Sequence, residues 1–492
     1  MTRWTRAVLA ALTVALLPVG NAAAAGTPGL PSIGDPYYPN DGNTGYQVDH
    51  YDLRLTYQPG ADRLSGTATI LATTTQYLSA FSFDFGLDTS SVLVDNAPAK
   101  FVKRGNKLVV TPKAGVPANR PITVVVRYQG VPSTVEIDGE NPWVATPDGA
   151  MSTAEPHIAS AWFPCNDHPT DKATFDVSVA VPDGTQAIST GLLTGTTSQL
   201  GWTRWNWRGT KPQATYLQML TIGHYDIRRT TAPDGRPFVT AYDRRLSPAV
   251  RDSSIASVER TPEVIAWESS IFGPYPFDSE GGVVAANDGS TDAEEFQSQP
   301  VYYSGNFAPH SDMYVVVHEN AHQWFGDAVS VRGWRNIWLN EGFANYAEWL
   351  WSEYAGEGTA QQLADWTYGH QKPGCWKIKP GDPTPDKLLA DPVYTRGAMT
   401  LQALRNVVGD NKFFTIVREW VAQHRYGNAD TADFVALAKR VSGQDLDKFF
   451  QTWLFTSGQP AATAANGFPP AAATAQPKSY DKLTALHQHV VS

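Results

Sequence analysis

From residue 46 the chain alternates apolar and polar positions with a period of two. Tyr51, Leu53, Leu55 and Tyr57 share one side of YDLRLTY, and Asp52, Arg54 and Thr56 share the other. That is the signature of a half-buried strand. Residues 64–75, 80–85, 91–94, 122–128, 175–181 and 216–227 continue in the same way. Residues 101–103 and 108–110 flank Arg104-Gly105-Asn106-Lys107 as a hairpin. Short strands at this spacing predict a sandwich or saddle-shaped β domain over 45–228. A turn-rich stretch, TAPDGRP, marks the expected boundary. Beyond it the period changes. Helices are expected over about 261–272, with Thr261 as N-cap and Pro262 in the first turn. Others are expected from Ser311 or Asp312, and over 337–354, 399–408, 413–424, 431–441 and 446–455. Residues 283–301 read as one or two strands with a loop. The expected class is α+β and multidomain, with a mainly helical second domain over 229–458. Residues 26–44, rich in Gly, Pro, Asp and Asn, read as an extended leader. Residues 459–492 read as a low-complexity Ala/Pro-rich tail without a core of its own.

Composition adds an address. Arg3 and Arg6 precede an apolar run over 7–19, and Ala22–Ala25 offers a small-residue cleavage site. This predicts a signal peptide over 1–25 and a secreted protein. The run is short for a membrane span, and no other stretch reaches the length one needs, so no membrane association is expected after cleavage. The formal charge of −10 and the lack of any basic run argue against a nucleic-acid partner. Two cysteines, Cys165 and Cys375, could pair in an exported protein, or Cys165 could be a buried thiol within AWFPC. A monomer is expected.

The chemistry is concentrated in residues 315–351. His318-Glu319-Asn320-Ala321-His322 sets two imidazoles at i and i+4, hence on one helix face, and Glu341 follows after 18 intervening residues. Two histidines and a carboxylate are ordinary ligands for one Zn2+, and a three-ligand set leaves the fourth position open for catalysis. Glu319 is placed to act as the general base of a metallohydrolase. A five-residue match alone could also arise by chance on an exposed helix, so its context decides.

That context resembles the aminopeptidase N family of zinc metallopeptidases. The resemblance rests on HENAHQWFG with WLNEGFA at the family's spacing, and on PCNDHP with Lys172-Ala173-Thr174-Phe175. Val393-Tyr394-Thr395-Arg396-Gly397-Ala398 and the first strands add to it, so that it covers about residues 45–458. It implies a thermolysin-like catalytic domain behind the β saddle, in a short two-domain form. It also implies one Zn2+ on His318, His322 and Glu341, Glu319 as base, and Tyr394 as the donor to the oxyanion. The implied substrates are peptides with a free N-terminus, whose ammonium meets two carboxylates, one of them Glu155. The family's GAMEN segment is missing. Ala293-Glu294-Glu295-Phe296-Gln297 stands in its place and leaves Glu295 and Glu294 as alternatives for the second carboxylate, because a one-residue slip on a strand exchanges its faces. Glu348, two turns after Glu341, could orient a histidine or be an exposed helix residue. Asn340 is expected to hydrogen-bond near the ligand carboxylate. Trp324, Phe325, Trp334, Trp338, Trp349 and Trp351 read as core. A thermolysin-type endopeptidase and a zinc-stabilised peptide-binding protein without turnover remain the alternative functions.

Overall fold

The computed structural model describes residues 26–153, 155–156, 159–286, 293–308, 312–468 and 475–487. The expected signal segment and the His489 end of the tail lie outside them.

Strand Tyr46–Gln58 is central to the β-rich half. Its inward residues Tyr46, Val48, Tyr51, Leu53, Leu55 and Tyr57 are all buried, as the alternation requires. It pairs antiparallel with Arg63–Thr74 and parallel with Ala173–Pro182, inside a sheet of eight strands. A second sheet of four strands carries Leu78–Asp84 and the Lys100–Arg104/Lys107–Thr111 hairpin at the expected place. The leader contributes the short strand Thr27–Pro28 to that sheet and buries Asp35, Asp41 and Asn43.

A five-stranded sheet opens the second half, in the order Tyr225–Thr231, Pro237–Asp243, Glu280–Ala285, Val301–Tyr303, Ala293–Glu294. The boundary expected at 228/229 therefore falls inside a strand. TAPDGRP is the turn of a hairpin, closed by the Ala232 N–H donating to Arg236 C=O with Gly235 at positive φ, and not a linker. Turn residues look alike in both roles. Helix Thr261–Phe272 starts at Thr261, with Arg260 as its cap. The helix expected over 399–408 begins at Asp391, with Pro392 in its first turn. Helix Ala360–His370, which the periodicity did not bring out, starts at a capping box between Thr359 and Gln362.

Of the two alternatives for the cysteines the buried thiol holds, and one further expectation changes. Cys165 and Cys375 are both free, buried thiols. The tail is also partly built into the catalytic half. Phe468 and Leu483 are buried, Phe468 stacks on Tyr368 at 4.9 Å, and residues 480–487 form a helix. A segment too poor in apolar residues for its own core can still place single anchors in a neighbour's.

Candidate active site

Helix Tyr314–Ala321 is buried on every side, so it is a core element and not the exposed amphipathic helix that a chance motif would occupy. His318 and His322 project from one face with ring centroids 4.8 Å apart. Helix Trp338–Tyr354 brings Glu341 from its first turn. His318 Nε2 and His322 Nε2 each lie 3.5 Å from Glu341 Oε2, and the three donor atoms fall within 4.8 Å of one another. A tetrahedral ion with bonds of about 2.0–2.1 Å has ligand edges of about 3.4 Å, so the arrangement fits zinc.

The far side of each imidazole is committed. His318 Nδ1 lies 2.5 Å from Glu348 Oε1, and Glu348 is fully buried, not exposed. His322 Nδ1 lies 3.0 Å from the Phe325 carbonyl. Both contacts assign the proton to Nδ1 and turn Nε2 toward Glu341. Burial alone would lower the pKa of His318, but Glu341 and Glu348 outweigh it and push it up to about 9. Burial would raise Glu341, but His322 and His318 hold it at about 2. These shifts mark an anionic pocket that a divalent cation neutralises.

Tyr394 is buried with its ring 6.0 Å from that of His318 and nearly parallel to it. Burial first, then Glu341 and Glu155, keep its phenol protonated and hence a donor. Its helix, Asp391–Val408, lies against the Glu341 helix at two glycines. A Cβ on Gly397 would meet the Gly342 Cα at 2.8 Å. Arg396, fully buried, donates to the carbonyls of Trp376, Ile378, Thr452 and Thr456 and so fixes the turn that carries Tyr394.

Glu155 and Glu295 reach the same region from the β-rich half and from the edge of the five-stranded sheet. One oxygen of each is buried without a hydrogen bond among the described residues. Burial raises both carboxyls; Glu295 and Glu341 raise Glu155 further, while His322 opposes the rise at Glu295. Strand Ala293–Glu294 pairs antiparallel with Val301–Tyr303. Glu295, just past it, is buried, whereas Glu294 is half-buried and accepts a hydrogen bond from the Tyr303 hydroxyl at 3.4 Å. Gln323, one residue after His322, donates to the Glu295 carbonyl at 2.9 Å and accepts from the Ser298 N–H at 2.7 Å. Sequence reasoning missed this tie, which joins the edge loop to the metal helix. Glu155 also lines a cleft of about 730 Å³ with Tyr38, Glu140, Leu388 and Asp391. Asn340 departs from expectation: its amide has no hydrogen-bond partner among the described residues and packs against Gly326. Trp324, Phe325, Trp334, Trp338, Trp349 and Trp351 are core, as expected. Glu319 is buried beside both imidazoles, and burial raises its carboxyl to about 8 against the pull of His318 and His322.

Residues 303–453 match the family model for the peptidase family M1 domain, and residues 47–217 match the peptidase M1 N-terminal domain. The chain belongs to peptidase family M1. Among curated proteins it is 28% identical to aminopeptidase N of Streptomyces lividans over 59% of this chain and 36% of that one. It is 26% identical to glutamyl aminopeptidase of Bos taurus over 64% of this chain and 35% of that one. The chain thus spans about a third of the length of these relatives. The M1 zinc metallopeptidase of Deinococcus radiodurans superposes with a TM-score of 0.79 at 28% identity, over 90% of this chain and 100% of that one. A glutamate-to-alanine point mutant of the Deinococcus enzyme has been solved with a Tyr-Ser-Ala substrate bound, again at a TM-score of 0.79 and 28% identity, over 87% of this chain and 99% of that one. The β-rich half followed by a helical catalytic half is the M1 architecture that the resemblance implied.

Proposed function

We propose that this protein is a secreted, monomeric zinc aminopeptidase that removes the first residue from peptides with a free N-terminus. The observation that carries this reading is two carboxylates beside the His318–His322–Glu341 triad, buried Glu295 and half-buried Glu155, each with one buried oxygen that has no hydrogen-bond partner among the described residues. A buried carboxylate without a partner is costly, and a substrate ammonium supplies the missing charge-assisted hydrogen bonds. Holding the ammonium fixes how far the peptide enters, so the first peptide bond is the one presented. Glu295 is the amine-binding carboxylate of the adjacent pair, because it is the buried one. Glu294 sits beside it against Tyr303 and borders the first side-chain position.

A zinc ion held by His318, His322 and Glu341 supplies Lewis acidity toward the scissile carbonyl and the attacking water. Glu319 takes the proton of that water and delivers it to the leaving amine. The Tyr394 hydroxyl donates to the oxygen that becomes negative in the transition state. The tripeptide held by the Deinococcus enzyme supports a peptide as the ligand. Export rests on the segment over 1–25, and among the described residues no helix is long and apolar enough to cross a membrane.

The test compares leucyl and N-acetyl-leucyl chromogenic amides, with and without a chelator. Release from the free amine only, abolished by the chelator, is expected. Equal cleavage of the blocked amide would overturn the reading in favour of an endopeptidase. Peptide binding without any turnover would leave only a zinc-stabilised binding protein.

A further inference from the structure

One cation of the β-rich half reaches into the turn behind the metal helix. Lys172 immediately precedes strand Ala173–Pro182, and its neighbour Asp171 is anchored by accepting the Val48 N–H at 3.0 Å. The Lys172 ammonium donates to the carbonyls of Asp327 at 2.8 Å and Ala328 at 3.1 Å. Those residues form the turn that begins at His322. Within it the Asp327 N–H donates to the His322 carbonyl at 3.0 Å, and Ala328 N–H donates to Gln323 C=O at 3.2 Å. The Phe325 carbonyl, which accepts from His322 Nδ1, lies in the same turn. Gly326 has φ +133, and a Cβ there would come 3.2 Å from Asn340 Nδ2 and 3.5 Å from His322 Nδ1, so the turn has little room to move.

We propose that Lys172 is a positioning residue for His322, through which docking of the β-rich half sets how tightly the catalytic half holds its metal. A lysine is suited to the place. Two carbonyls of successive residues converge on one point, and an ammonium satisfies both without demanding a planar partner. It also faces Asp327, whose carboxylate oxygens are buried without a hydrogen bond among the described residues and which lies in the electrostatic reach of Glu295, His322 and Glu319; burial lowers the Lys172 amine to about 7, against the pull of Asp327. Removing Lys172 would free the two carbonyls and the Phe325 acceptor with them.

This inference rests on the zinc reading, and its test keeps the two apart. The full chain is compared with Lys172→Met, Lys172→Arg and Tyr37→Phe. Tyr37 makes a separate contact between the two halves, donating to Asp382 at 2.9 Å and accepting from the Thr384 N–H at 2.9 Å. Zinc affinity is read by chelator competition, ligand geometry by the visible spectrum of the Co2+-substituted protein, and turnover at saturating zinc. Lys172→Met is expected to weaken zinc about tenfold, since partners behind a ligand contribute about 10–100-fold. It should also shift the Co2+ bands and lower kcat with little change in KM. Lys172→Arg should restore most of each effect, and Tyr37→Phe should leave affinity and spectrum alone. Should Lys172→Met fail to fold, Lys172→Gln, which keeps one donor, is expected to show the same changes at smaller size. Unchanged affinity and spectrum in the Lys172 variants would overturn the proposal, as would an equal loss in Tyr37→Phe, which would mean that any loosening of the interface suffices. Failure of the unaltered protein to bind zinc would instead refute the zinc reading itself.

Discussion

The metal triad and the proposed amine-binding end of the site lie side by side but are built on opposite principles. At the triad the far nitrogen of each imidazole is committed: His318 leans on Glu348, and His322 on the Phe325 carbonyl. At the other end Glu155 and Glu295 each leave a buried oxygen unbonded. The first arrangement rigidifies ligands before the ion arrives. The second stores unmet hydrogen-bonding capacity that a substrate relieves. A site made of the first kind alone would hydrolyse without knowing where a chain begins.

The largest expected effect separates chemistry from recognition. Glu319→Gln keeps the shape of the base but removes its ability to take a proton, and should lower kcat at least about 10³-fold. Zinc affinity, measured by competition, should change little, because Glu319 is not one of the clustered donors. A variant that retained a tenth of the activity would show that another group takes the proton.

Next in size is the recognition end. Removing one charge of a buried pair costs about 2–5 kcal/mol. Glu295→Gln and Glu155→Gln should therefore each lower kcat/KM for a free-amine substrate about 10²-fold. Zinc affinity should again stay constant. Glu294→Gln should cost less than about threefold on an N-terminal leucine, because its carboxylate is half-buried and bonded to Tyr303. Reversal of that order, with Glu294 the critical residue, would exchange the two roles.

These expectations also show what was legible in the sequence. Triad and proposed base sit within 24 consecutive residues, 318–341, where helical geometry converts the spacing of His318 and His322 into a shared face. The β half was readable because its strands are half-buried and alternate cleanly. The choice between Glu294 and Glu295 was not readable, because the edge strand is two residues long and offers no period to fix its faces. Gln323, Arg396 and Lys172 stand in the quoted motifs, but their roles were not legible for a further reason. Each acts on backbone carbonyls, which have no identity in a sequence, and all three reach residues far along the chain. TAPDGRP and the tail misled through composition, which reports what a segment cannot do alone and not what a neighbour does with it.

Glu348→Gln tests the rigid end. The amide keeps the length of the side chain but loses the charge facing His318 Nδ1, so zinc should bind about tenfold more weakly, at the low end of the range for such partners. The loss should appear in the metal titration before it appears in kcat at saturating zinc. If kcat fell while affinity held, Glu348 would be serving the reaction and not the ligand.

The smallest effect concerns a group that follows neither principle. Glu268, on helix Thr261–Phe272, is fully buried, and both its carboxylate oxygens lack hydrogen bonds among the described residues. Burial raises its pKa well above the ordinary 4.5, and His322 offsets this only in part. The folded protein therefore holds the proton more tightly than the unfolded chain does, so this residue lowers stability as pH rises above about 4.5. An apolar residue of similar length removes that burden. Glu268→Met should raise the stability of the zinc-loaded protein by about 1 kcal/mol at pH 8. The gain should shrink toward pH 5, where the unfolded chain also begins to bind the proton. Thermal melts at the two pH values read the difference, and kcat/KM should stay within about twofold. A destabilised variant, or a gain larger at pH 5 than at pH 8, would mean that Glu268 is ionised and held by a partner in solution. It would then belong with the committed groups of the triad.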